Sequence, residues 1–198
     1  MLSSITPLGE RGRNNRFAVA ASFFVAGSVL GGVAMGSVAG GLGRLLVPDQ
    51  PVVAAAVIAM GALFGAAFDA HLGGLRLPTI RRQVDERWLQ KYRGWVYGAG
   101  FGAQLGTGLA TIVSSAAVYV MVIAALLTRS IAYGALIGTT FGLVRGLSIL
   151  LARRVTTPDD LRRFHRRLAA QSGRSERFGA ATQGLIGTAG LLLVVVVR

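Results

Sequence analysis

The chain has 198 residues, 53% of them apolar, with a formal net charge of +13 and a mean hydropathy of +0.57. Charge confined to a few short stretches of so apolar a chain excludes an ordinary water-soluble domain. With no cysteine, the chain has no disulfide framework, no thiolate metal site and no thiol redox chemistry of its own.

Residues 1–16, with Arg11, Arg13 and Arg16, read as a basic cytoplasmic N-terminal tail, and residues 17–198 as a single integral membrane domain. Basic residues before an apolar run are also the signature of a signal peptide. The run Phe17 to Gly43 is longer than the roughly 7 to 15 residues of such a peptide's apolar core, so an uncleaved membrane helix is expected. Further apolar runs give spans at 51–72, 94–128, 130–152 and 178–197. Each can cross about 30 Å of hydrocarbon as a helix, which takes roughly 20 residues. No alternation of period two supports a barrel, so the expected fold is all-α, a polytopic transmembrane helix bundle of five crossings.

The basic residues fall in alternate connections: the tail; Arg76, Arg81, Arg82, Arg87, Lys91 and Arg93; and Arg153 to Arg177. The other connections carry only Arg44 and Arg129. This alternation gives the net charge a topological cause, so nucleic acid is not an expected partner. It predicts a multi-pass protein of the bacterial cytoplasmic (inner) membrane, N-terminus inside and C-terminus outside. It also requires 94–128 to be one crossing. At about 1.5 Å per residue that crossing would measure on the order of 50 Å, so it is tilted or broken.

Glycines recur every four residues at Gly32, Gly36 and Gly40, at Gly94, Gly98, Gly102 and Gly106, and at Gly134, Gly138, Gly142 and Gly146. Such spacing makes a smooth helical face that serves packing within the chain, an interface with a second copy or another membrane protein, or a flexible transporter helix. Gln104, Thr107, Thr111 and Ser115 share one face of the third span, with Gln104 near mid-depth. Either they bond other helices, with Gln183, Thr182 or Thr139 as partners, or a break exposes them to a cavity as a substrate pathway that also includes Gln183. Asp69 and His71 lie at the basic end of the second span, where snorkelling to the interface is the simplest reading. Arg145 sits deeper and needs a partner, and Asp69 is the candidate for an intramembrane ion pair. Neither His71 nor His165 belongs to a metal-ligating or catalytic constellation; no cofactor is expected and nothing argues for an enzyme.

After the fourth span, Thr157, Pro158, Asp159 and Asp160 form a helix start. Arg162, Arg163, Arg166 and Arg167 flank the apolar stripe Leu161, Phe164 and Leu168, which suits a basic helix lying on anionic lipid headgroups. Ile80 to Trp95 is similar, with Trp88, Tyr92 and Trp95 as an interfacial belt.

The stretch Leu77-Pro78-Thr79-Ile80-Arg81-Arg82-Gln83-Val84-Asp85-Glu86, with Tyr92-Arg93-Gly94-Trp95-Val96-Tyr97-Gly98-Ala99-Gly100-Phe101-Gly102-Ala103-Gln104-Leu105-Gly106, resembles bacterial proteins related to the transmembrane cytochrome c biogenesis and thiol-electron-transporter family. That group also takes in methylamine-utilisation membrane proteins. The resemblance covers about Leu77 to Thr111 and, more loosely, continues to Gly146. It implies broken helices and, in the core family, reactive cysteines beside prolines; here Gln104 to Ala110 stands in that place, so no catalytic residue carries over. Two functions stay open: a small-solute or ion transporter or transport-fold relative without thiol chemistry, and a non-transporting scaffold that binds a partner through its glycine grooves or basic face.

Overall fold

The structure, a computed structural model, describes residues 5–70, 87–108 and 116–197. These form eight α-helices: α1 (Pro7–Gly12), α2 (Phe17–Leu46), α3 (Pro51–Asp69), α4 (Trp88–Lys91), α5 (Gly94–Thr107), α6 (Ala117–Leu127), α7 (Ile131–Leu147) and α8 (Pro158–Val197). A 3-10 turn, Ser148–Ala152, extends α7. The starts follow local chemistry. Thr6 accepts from the Gly9 N–H ahead of Pro7, and Ser130 accepts from the Tyr133 N–H. Thr157 and Asp160 cap each other reciprocally, side chain to backbone in both directions.

Helix α2 is the axle. Its glycines and those of α7 interdigitate in antiparallel register: a Cβ built on Gly36 would fall on the carbonyl of Gly134 and lie 3.1 Å from the Cα of Gly138. On another side α5 runs parallel to α2, with Gly98, Gly102 and Gly106 against the carbonyls of Ala20, Phe24 and Ser28. At Gly102 the added Cβ would also come 2.9 Å from the Ser28 nitrogen, so only hydrogen fits. The Ser28 hydroxyl donates across to the Gly142 carbonyl at 2.8 Å. The three glycine faces are thus filled by this chain's own helices.

Helices α3 and α8 form a second antiparallel pair, Gly65 level with Gln183 and Ala59 with Gly187, and α6 packs against α2, α3 and α7 between the two groups. The ends of the bundle are fixed by contacts between distant residues. Arg129 meets Asp49 at 2.6 Å at one end, while Leu8 donates to the Val155 carbonyl at 3.1 Å at the other, the basic end. From the basic end α5 and α6 run in the same direction as α2, since Leu126 lies against Gly43. They measure about 21 Å and 16 Å, each too short to span alone, so together they make one interrupted crossing. With α2, α3, α7 and α8 this makes an all-α, multi-pass membrane bundle with five crossings, as the sequence implies.

Three details add to the expectations. The basic tail is partly folded: residues Pro7–Gly12 form α1, Ile5 is 1% exposed and Glu10 is fully buried against the bundle. The described helix of the second span is Pro51–Asp69, capped by Ala70, and residues 71 and 72 lie outside the described residues. The basic segment and the last span are one 40-residue helix of about 60 Å. Arg162, Arg163, Arg166 and Arg167 are exposed on it, but unbroken hydrogen bonding carries their segment on from the span, where a helix lying flat on the surface would need a bend.

Candidate functional site at the interrupted crossing

Helix α5 stops because Gly108 adopts φ +73°, a left-handed cap open to glycine, with its N–H bonded to the Leu105 carbonyl at 3.1 Å. The Thr107 hydroxyl donates to the Gln104 carbonyl at 2.9 Å and satisfies another orphaned acceptor of that end. The last turn of α5 is level with Ser28 and Gly31, near the middle of α2, so the interruption falls near mid-depth.

The N-cap of the half-helix α6 is Ala116, whose N–H donates to Asp69 Oδ1 at 2.8 Å. The other carboxylate oxygen accepts from Gln183 Nε2 at 2.7 Å. Asp69 is 8% exposed and Gln183 7%. A carboxylate at the N-terminal end of α6 meets the positive end of the helix dipole and a free backbone donor at once. Gly65 makes room for this node, because a Cβ there would fall on Gln183 Oε1 and come 3.2 Å from the Ala116 Cβ. Gln183 Oε1 is itself buried without a hydrogen-bond partner.

The expected constellations are therefore rearranged. Asp69 does not pair with Arg145: the two stand on α3 and α7, and Arg145 instead lies over the Phe141 ring, 5.2 Å from its centroid. Phe141 in turn borders Gly108, at 3.3 Å from where its Cβ would be. Gln183 bonds Asp69 and is not brought to Gln104. The Gln104 amide is half-buried on the face of α5 opposite α2 and makes no hydrogen bond among the described residues; Thr107 is turned to its own backbone. Thr182 and Thr139 likewise bond their own helices, to Phe178 and Ala135. Thr111, Ser115 and His71, and residues 80–86 of the Ile80 to Trp95 segment, lie outside the described residues. Among the described residues no group of His, Cys, Asp or Glu is placed to hold a metal ion.

A second polar cluster closes the basic end. Buried Glu10 takes the Tyr97 hydroxyl on one oxygen and the Arg13 guanidinium, at 2.6 Å, on the other. Asn15 reaches the same hydroxyl at 3.4 Å, and Arg13 stands 5.7 Å over the Tyr97 ring. Burial works against the Arg13 charge, but hydrogen bonds to Glu10 and Tyr97 outweigh it and raise the pKa above its ordinary value. Around this cluster pack Ile5, Phe24, Leu89, Phe101 and Ile149, with Trp88 stacked on Phe101. Sequence reasoning missed Glu10 and Tyr97; the one available signal was the Thr6-Pro7 helix start, which marks residues 7–12 as structured.

No family model matches the chain, and no solved structure matches it. It is 35% identical over 127 residues to the methylamine utilization protein MauF of Paracoccus denitrificans. The match covers 63% of this chain and 45% of that protein, so the chain spans less than half the length of the relative it resembles.

Proposed function

We propose that the protein is a multi-pass protein of the bacterial cytoplasmic membrane, basic end inward, that passes a small solute or an ion across the bilayer at its interrupted third crossing. The observation that carries this reading is the Asp69 carboxylate, buried where α3 ends and seated on the N-terminal end of α6. A buried ionisable group inside a membrane bundle is costly to keep and marks pathways, and half-helix ends are where transport folds place binding groups. The alternation of basic and nearly neutral ends supports the orientation. Gln104, half-buried in the last turn of α5, is the amide of the other half-helix and the second residue to test. A carboxylate favours cations, and the relative's name makes methylammonium a natural probe beside the proton.

The test is flux into proteoliposomes of proton and of methylammonium. Wild type should exceed empty liposomes, Asp69→Asn should lose about tenfold or more, and Gln104→Leu should slow entry. Wild-type flux at the empty-liposome rate for both probes overturns the reading.

A second reading, an accessory or assembly subunit, is favoured by the relative's name, which refers to a utilization process and not to transport. The occupied glycine faces remove the grooves as its docking surface and leave the exposed arginines of α8. Under it, replacing Arg162, Arg163, Arg166 and Arg167 by Gln abolishes complementation of a deletion strain while Asp69→Asn is tolerated.

A further inference from the structure

Three arginines among the described residues are withdrawn from solvent, and two have carboxylates: Arg13 meets Glu10 and Arg129 meets Asp49, each at 2.6 Å. Arg145 has none. Its Nη1 is buried without any hydrogen-bond partner, and its guanidinium rests on an aromatic face. The neighbours one turn away on the same stripe of α7 place it in the seam with α5. Phe141 borders Gly108, and Ile149 belongs to the buried cluster that contains Phe101, with Leu105 packed against it. A guanidinium cannot shed its proton in a protein, so its charge persists there and the donor needs an acceptor.

We propose that Arg145 anchors an anion-binding site in the α5–α7 seam, taking a phosphate or carboxylate group that enters from the basic side. The planar fork of a guanidinium matches both oxyanions, donating two parallel hydrogen bonds. The residue lies in the half of its span nearer the basic end, about 14 Å along the helix from Arg153. Its side chain is only partly buried, which leaves a route from outside. Exposed Arg16, Arg93, Arg153 and Arg154 at that end raise the local anion concentration, and crevices of this kind between helices on the basic face are where anionic headgroups lodge. The site is separate from the Asp69 node and does not depend on flux through the crossing.

The test titrates purified protein in neutral detergent with phosphatidylglycerol and, separately, with inorganic phosphate, and reads the rise in Tm. Wild type is expected to be stabilised saturably by the lipid. The apparent affinity should fall about tenfold in Arg145→Gln and about threefold in Arg145→Lys, which keeps the charge and loses the fork. Arg153→Gln, which removes a neighbouring surface charge, should stay within about twofold. Stabilisation by the lipid alone assigns the site to a headgroup; stabilisation by both assigns it to oxyanions in general. No stabilisation of wild type by either ligand, or equal affinity in wild type and Arg145→Gln, overturns the proposal. If Arg145→Gln does not fold, equal affinity in wild type and Arg145→Lys does so.

Discussion

Tyr97 shows how little of a buried site is written near it. Its ring is fully buried among Ile5, Phe24, Phe101 and Ile149, and its hydroxyl donates to an acid 87 residues away. Nothing in the local pattern announces Glu10 as its partner, because the contact is made by helix packing and not by spacing. Tyr97→Phe leaves one Glu10 oxygen short of a donor and is expected to cost about 1–3 kcal/mol, read by chemical denaturation in micelles. The glycines are the opposite case. Their four-residue period was legible as a packing face, and the structure supplies only the partner. Gly102→Ala sets a methyl against the Phe24 carbonyl and the Ser28 nitrogen and should cost about 1–3 kcal/mol. Gly61→Ala, at a glycine with nothing within 4 Å, should leave the melting temperature almost unchanged. Asp69 lies between these cases: its charge was read as snorkelling to the interface or as a partner for Arg145, but the carboxylate is buried and meets an amide and a backbone N–H.

At the scale of elements, the misassigned pair has a simple origin. Charge selects Arg145 for Asp69, yet α3 packs on α8 and α6 while α7 packs on α2, α5 and α6. Hydropathy locates spans and loop charge gives their direction; neither says which non-consecutive spans touch. The break in the third crossing was legible from excess length and glycine content, and Gly108 gives its cause. The continuity of α8 was not, since a basic amphipathic stretch reads the same whether it bends or runs on. Spin labels at positions 161 and 181 should lie about 30 Å apart if it runs on. A clearly shorter distance marks a bend. The start of α8 should also respond to acid. Hydrogen bonds from Thr157 and Thr156 and the Arg163 guanidinium hold the Asp160 carboxyl well below the usual carboxylate range. Its folded value is depressed, so its contribution is complete above the ordinary value of about 3.9 and is lost as pH falls through the lower one. Amide exchange in residues 158–163 should quicken in that acid window and not between pH 5 and 8.

For the whole molecule, the five-crossing arrangement was legible because two independent patterns, apolar length and charge alternation, agreed on it. The closing of the basic end by α1 was not, because six residues carry too little periodicity to distinguish a folded plug from a tail. Single-cysteine variants report on this directly, without background from native thiols. Cysteines replacing Asp49 and Arg129 should be labelled by an impermeant reagent from one side of the membrane, and one replacing Arg153 from the other. Labelling of all three from the same side would refute the topology.

The pairing of α3 with α8 also sets a clock on biogenesis. Asp69 enters the membrane with the second span, but Gln183 leaves the ribosome more than a hundred residues later, on α8. During synthesis the carboxylate must wait at its half-finished post, held in the translocation channel or by a chaperone, until α8 has been made. Nascent chains stopped before α8 should therefore be recognised as unfinished and degraded, even though the α2, α5 and α7 core is already made.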